Sequence, residues 1–295
     1  MHKTQVICFG EILWDIFPHR KVIGGAPLNV ALRLHAYAAR TEIMSCVGKD
    51  ENGKATLAYL HKQGLPQDLI QHHETLETGT VTVTLNEEGS ATYEIRKPVA
   101  WDAIALTPRM VAAVKEVPFF IFGSLAVRGT FNHLTLQRLL EVANTKIFDV
   151  NLRAPHYDVS MIYELMQIAD FIKLNDDELI EVCDALGCQE STLELRIGWL
   201  EKITKTSGIC VTKGDKGALL FYNSQFYHHP GFKVVVKDTV GAGDSFLATL
   251  INELFLKQNS PQDSMAIACA VGTLVASKEG ANCSISDAEI QKFID

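Results

Sequence analysis

The chain has 295 residues, 47% hydrophobic and 21% charged, enough to bury one large α/β core or two small ones. A formal net charge of −8 with no clustered basic run argues against a nucleic-acid partner, so an anionic ligand has to be held by local design. The longest near-apolar stretch, Val117 to Val127, is about half the roughly 20 residues a membrane helix needs, and MHKTQVICFGE at the N-terminus has no signal-peptide core.

Short β-rich apolar segments recur in order as Val6–Phe9, Ile43–Val47, Phe119–Phe122, Ile147–Val150, Phe171–Leu174 and Ile209–Thr212. Amphipathic, helix-like stretches separate most of them, and that alternation predicts a mostly parallel sheet covered by helices. Helix starts are marked by Thr107 before Pro108, by Asn175 or Asp176 before Glu178, and by Ser286 with Glu289 three residues on. The seven cysteines are odd in number and scattered, several within apolar runs, which fits core packing in a reducing cytoplasm rather than a disulfide framework.

One stretch departs from this rhythm. Val81, Val83 and Leu85 alternate with threonines, and after Asn86–Ser90 the alternation resumes with Ala91, Tyr93 and Ile95. The pattern predicts a β-hairpin with one apolar face. A two-stranded ribbon is marginal by itself, so the face is expected to cover a site as a lid, to pair with a second chain, or to lie as an ordinary edge hairpin on the core.

The most informative run is Asp238-Thr-Val-Gly241-Ala-Gly243-Asp244-Ser-Phe246, between the strand-like Lys233–Val236 and an apolar helical stretch from Phe246 to Leu256. Glycines there let the backbone approach a ligand, and free N–H groups at a helix start attract an anion. Asp244 at that start is either a helix cap, the common role for Asp, or a carboxylate placed to take a proton from a hydroxyl.

DTVGAGDSF resembles the C-terminal signature of the ribokinase (PfkB) carbohydrate kinases. Gly24-Gly-Ala-Pro-Leu-Asn29-Val-Ala31 resembles their GGAPxNVA motif, and Gly10-Glu-Ile-Leu-Trp-Asp15 their first sugar-contacting segment. The resemblance implies a three-layer α/β/α fold over residues 1–295, with lid segments at about 12–23 and 78–102. It implies Asp244 as the base, with Gly241, Ala242 and Gly243 supplying backbone N–H groups to the transferred phosphoryl group. Asp15, Gly24, Gly25 and Asn29 would bind the sugar.

Lys173-Leu-Asn175-Asp-Asp-Glu178 resembles the family's NxxE motif, implying that Asn175 and Glu178 organise ATP and, through water, Mg2+. The same spacing is also a common helix-capping arrangement. Val211-Thr212-Lys-Gly214-Asp-Lys-Gly217 resembles the nucleotide-binding turn, with Thr212, Gly214 and Gly217 along the ATP. Cys269 stands where ribokinase has an asparagine against the adenine. By the same resemblance, oxygens of Asp238, Val240, Val275, Lys278, Gly280 and Ser284 would surround K+.

Asp149-Val-Asn151-Leu-Arg153 and Gly123-Ser-Leu-Ala126 resemble fructokinases and 2-keto-3-deoxygluconate kinases, which makes Arg153 the sugar-side cation. Ala26-Pro27 replaces a lysine of ribokinases, disfavouring ribose. The expectation is a cytoplasmic fructokinase, active as a homodimer on a small-molecule sugar. The alternatives are another kinase of the family or a sugar-binding regulator without catalysis.

Other signals mislead. Gly48–Ala55 nearly fits GxxxxGK[ST], but Ala55 has no hydroxyl for magnesium, and Asp50 and Glu51 would turn negative charge on a phosphate. No GxGxxG opens the first βα unit. His72-His73 and His228-His229 are adjacent pairs without metal-ligand spacing.

Overall fold

The structure, a computed structural model, describes residues 5–85 and 91–294, so the expected turn at Asn86–Ser90 lies outside the described residues. From the N-terminus run β1 (Val6–Phe9), β2 (Leu13–Ile16), β3 (Lys21–Gly24), α1 (Ala26–Ala36), β4 (Thr41–Gly48), α2 (Glu51–Gln63), β5 (Ile70–His73), β6 (Gly79–Leu85) and β7 (Ala91–Ile95). Next come α3 (Pro108–Glu116), β8 (Phe119–Gly123), α4 (Thr130–Leu140), β9 (Thr145–Asp149), α5 (Val159–Ile168), β10 (Phe171–Asn175), α6 (Asp176–Ala185) and α7 (Leu193–Thr204). The chain ends with β11 (Gly208–Thr212), β12 (Ala218–Tyr222), β13 (Gln225–His229), α8 (Ala242–Ile251), α9 (Pro261–Ala276) and α10 (Asp287–Ile294).

Nine strands form the central sheet in the order β13-β12-β11-β10-β9-β8-β1-β4-β5. Its pairings are parallel from β11 through β5, and β12 and β13 add antiparallel at one edge. Strands covered on both faces have no polar side to keep, which is why Val6, Ile7, Cys8 and Phe9 are all fully buried. Alternate residues serve opposite layers. Ile7 and Phe9 join Phe120, Phe122, Phe148 and Leu165 on one face, while Val6 and Cys8 join Leu28, Ile121, Ile147 and Leu247 on the other. All seven cysteines are free, six of them buried.

The helix starts form for the expected local reasons. Thr107 Oγ1 accepts from the Met110 N–H at 3.2 Å, Asn175 and Glu178 form a reciprocal capping box, and Ser286 and Glu289 bond each other in the same way. The Gly48–Ala55 turn is closed to phosphate by its own anion: Asp50 caps α2, accepting from Gly53 N at 2.7 Å and from Thr78 N at 2.6 Å.

The hairpin, marginal as a two-stranded ribbon, is joined by β2 and β3 in a second, four-stranded sheet of order β3-β2-β6-β7. Val81 and Val83 are buried within the single chain, so their apolar face supplies no independent argument for a partner chain. Lys233–Val236 forms no strand. Val235 is 83% exposed and Val236 56%, so β-propensity there finds no neighbouring strand to pair with.

Candidate active site

The start of α8 is built by its glycine. Gly241 caps the helix at φ 75°, and a Cβ there would lie 2.2 Å from Ala281 Cβ, so only glycine fits. The N–H of Ala242, expected to face the phosphoryl group, instead bonds the Thr239 carbonyl at 3.2 Å. The N–H groups of Gly243 and Asp244 fall within the first turn, where the helix offers them no carbonyl. Two donors and the positive end of the helix dipole therefore converge there.

Asp244 is held by a residue from the other end of the chain. Asn29, buried in α1, donates from Nδ2 to Asp244 Oδ2 at 2.7 Å, while its own Oδ1 accepts from Asn282 Nδ2 at 3.0 Å. Burial, and then the nearby Asp149 charge, push the Asp244 carboxyl up to about 6. The Asn29 hydrogen bond and the Lys173 and Arg153 charges restrain the rise. Asn29 thus orients the carboxylate, a task additional to the sugar contact expected of it.

Beneath this turn lies a buried ion pair. Lys173, on the same face of β10 as Phe171, donates from Nζ to Asp149 Oδ1 at 3.1 Å. A Cβ on Gly243 would stand 3.4 Å from that Nζ, which places the ammonium directly under the anion site. Burial by itself would lower the lysine pKa, but Asp149, Glu178 and Asp244 outweigh it and hold it above its ordinary value. No local pattern marks this pair, since its members are 24 residues apart on adjacent strands.

Asn175 and Glu178 stand beside it. Glu178 Oε2 accepts from the Asn175 N–H and Oε1 from the Leu152 N–H, both at 2.9 Å, which ties α6 to the loop carrying Arg153. Burial raises the Glu178 pKa against the opposing Lys173 charge. Among the described residues no group of three or more His, Cys, Asp or Glu side chains could hold a metal ion. Magnesium does not need one, because it keeps several waters and takes one or two carboxylates. Asp149 Oδ2, buried without a partner, and Glu178 are hard oxygen donors of that kind.

On the sugar side, Asp15 lies on β2, where a Cβ on Gly24 would come 3.1 Å from its Oδ2. Gly25, at φ 113°, allows α1 to start against the Glu11 carbonyl, which a Cβ would approach to 2.4 Å. Burial pushes Asp15 up to about 6 and Glu11 up to about 7. The exposed Arg153 opposes both shifts as well as that of Asp244, so its charge reaches three carboxylates. Glu11 carries no role in the sequence reading. It is 2% exposed, with Oε1 accepting from Ala26 N at 3.2 Å and Oε2 unpartnered.

A cleft of about 230 Å3 opens next to Ala242 and Gly243. Thr212, Gly214, Gly217 and Cys269 all line it, as expected of a nucleotide site. Phe232, Val234, Val236 and Phe246 supply the apolar walls, so the misread 233–236 segment borders the cleft rather than the core. Gly217 is required locally, since a Cβ would meet the His229 carbonyl at 2.0 Å.

Residues 6–288 match the model of the pfkB family carbohydrate kinases. The chain belongs to this family. Fructokinase-1 of Zea mays is 26% identical, the alignment covering 99% of this chain and 98% of that protein. Among solved structures, a Vibrio cholerae fructokinase double mutant with fructose, ADP and potassium bound superposes with TM-score 0.83 at 22% identity, covering 99% of this chain and 98% of that one. The 2-dehydro-3-deoxygluconokinase of Thermotoga maritima gives the same TM-score at 21% identity, with 99% of each chain covered. The protein is an ATP-dependent sugar kinase of ribokinase fold, and the backbone alone does not separate one sugar from another.

In this sugar kinase the oxygens expected around K+ lie in two adjoining segments. The Asp238 carboxylate accepts from Val240 N at 3.0 Å and Gly280 N at 3.1 Å. The Val275 carbonyl accepts from Lys278 N at 3.0 Å, and the Ser284 carbonyl from Lys278 Nζ at 2.8 Å. No helix of the described residues is long and apolar enough to cross a membrane.

Proposed function

We propose that this kinase transfers the γ-phosphoryl group of ATP to the 6-hydroxyl of D-fructose, with Asp244 as the base. The observation that carries the reading is the Asn29–Asp244 hydrogen bond, which aims a carboxylate of raised pKa beside the free N–H groups opening α8. Asp244 accepts the hydroxyl proton, the sugar oxygen forms a bond to the γ-phosphorus, and the bond from that phosphorus to the β,γ-bridging oxygen breaks to release ADP. The Gly243 and Asp244 N–H groups, the helix dipole and the Lys173 ammonium stabilise charge on the transferring group.

Asp149 and Glu178 would hold Mg2+ through water, and the ion would neutralise phosphate charge. Asp15, Gly24 and Gly25 present acceptors and open backbone to the sugar, and Arg153 adds a cation at its rim. The β3-β2-β6-β7 sheet serves as the lid that excludes water from the transfer. Fructose is favoured by the Asp149-Val-Asn-Leu-Arg153 run and by fructokinases among the relatives.

A coupled assay of ADP release tests the substrate, using magnesium-ATP with fructose, ribose, 2-keto-3-deoxygluconate, adenosine, mannose or tagatose. Preference for fructose is the expected result. Preference for another member would overturn the fructose reading and leave Asp244 in its role.

A further inference from the structure

Both ends of the β6–β7 hairpin rest on one buried cluster. β6 begins at Gly79, where a Cβ would stand 2.3 Å from Trp101 Nε1, so the strand is pressed directly against that indole. The chain leaves β7 at Arg96, whose carbonyl accepts from Arg128 Nη2 at 2.6 Å. Arg128 also holds Asp102 with two bonds of 2.8 Å, Nε to Oδ1 and Nη2 to Oδ2, and its guanidinium lies 4.0 Å from the centre of the Trp101 ring.

The cluster is fixed to the body of the molecule. Asn132 of α4, fully buried, donates from Nδ2 to the Trp101 carbonyl at 2.6 Å and to the Ala126 carbonyl at 2.7 Å. It also adjoins the loops on the sugar side. Arg128 follows the Gly123–Ala126 run, where Ser124 Oγ donates to the Asn151 carbonyl at 3.3 Å. His156, whose N–H donates to the Arg153 carbonyl at 2.7 Å, lies within reach of the same guanidinium: burial foremost, then the Arg128 and Lys97 charges, hold its pKa below the ordinary value.

An ion pair this deep is a poor means of stabilising a fold. The Arg128 side chain is 0% exposed and that of Asp102 11%, and Arg128 Nη1 is buried without a partner. Desolvation of such charges offsets their attraction, so well-packed apolar residues of similar volume would hold the fold as well or better. An apolar pair would not supply direction, whereas a guanidinium presents its donors in a rigid plane, and this one is fixed by three bonds and a ring. We propose that Arg128 is a positioning residue that sets the angle at which the β6–β7 hairpin closes over the sugar, by tying the end of β7 to the loop after β8. The proposal rests on the reading of the four-stranded sheet as a lid.

The test is the double substitution Arg128→Met with Asp102→Leu, which removes both charges together and leaves neither unpaired. Melting temperature, kcat and KM with the preferred sugar, and ADP release without sugar are read beside wild type. The double variant should melt at or above the wild-type temperature while kcat falls about a hundredfold, the cost of misplacing reacting groups by about 1 Å. Its ratio of sugar-independent ADP release to sugar phosphate formed should rise, because an ill-seated lid admits water. Should the double variant fail to fold, Arg128→Lys decides, since it keeps the charge and loses the planar fork: kcat should drop about tenfold or more.

Wild-type kcat in a folded variant overturns the proposal, as does a loss of kcat with no rise in that ratio. Hydrogen exchange of β6 and β7 in wild type, with and without the sugar and magnesium-ATP, keeps the two readings apart. Protection on binding supports a lid that closes, and unchanged turnover of the variant then overturns the role of Arg128 alone. Absence of protection overturns the lid and the proposal with it.

Discussion

Asn29 and Asp244, 215 positions apart in sequence, meet through a 2.7 Å hydrogen bond that joins the first helix of the chain to the start of α8. The bond makes the position of the proposed base depend on both ends of the chain. Replacing Asn29 with Ala removes a donor to a charged acceptor, an interaction worth about 1.5–3 kcal/mol. kcat/KM should fall roughly tenfold to a hundredfold. The acid limb of its pH profile should also move to higher pH, because the donor stabilises the ionised form. An unmoved limb with only KM raised would leave Asn29 as a sugar contact alone.

The pH dependence of the wild-type enzyme follows from the same group. A base works deprotonated, and Asp244 is raised to about 6. kcat/KM should therefore climb with pH through about 6, falling about tenfold per unit below it. A limb near the ordinary aspartate value would place the base elsewhere.

Glu11 predicts a stability effect opposite to the usual carboxylate case. Its folded pKa is raised from 4.5 to about 7, so the unfolded chain releases this proton first as pH increases. The associated stability is complete below about 4.5 and is lost as pH rises through about 7. Glu11→Gln, which cannot ionise, should thus melt higher than wild type at pH 8, by a margin on the order of 1–3 kcal/mol that shrinks toward pH 4.5. Thermal denaturation across that range checks it, and a margin independent of pH would mean that Glu11 is not the titrating group.

The sequence revealed what depends on local pattern. The core strands announce themselves because both faces are buried, as with Val6–Phe9, and the α6 capping box can be read from the Asn175 to Glu178 spacing. The Val-rich 233–236 segment misleads because β-propensity cannot tell a strand from an extended cleft wall. Lys173 with Asp149, the buried Glu11 and the Lys278–Ser284 bond were hidden because each depends on elements the fold brings together. Their significance lies in burial and distance, which residue order does not encode.

The central claim, that Asp244 removes the proton from the sugar hydroxyl, is tested most directly by single-turnover formation of sugar phosphate in Asp244→Asn, alongside calorimetric binding of the sugar. The amide is nearly isosteric with the carboxylate but cannot accept the proton, so the account predicts retained folding and sugar binding with turnover about 10²–10⁴-fold lower. Turnover near that of wild type would contradict it, and the base would have to be sought elsewhere.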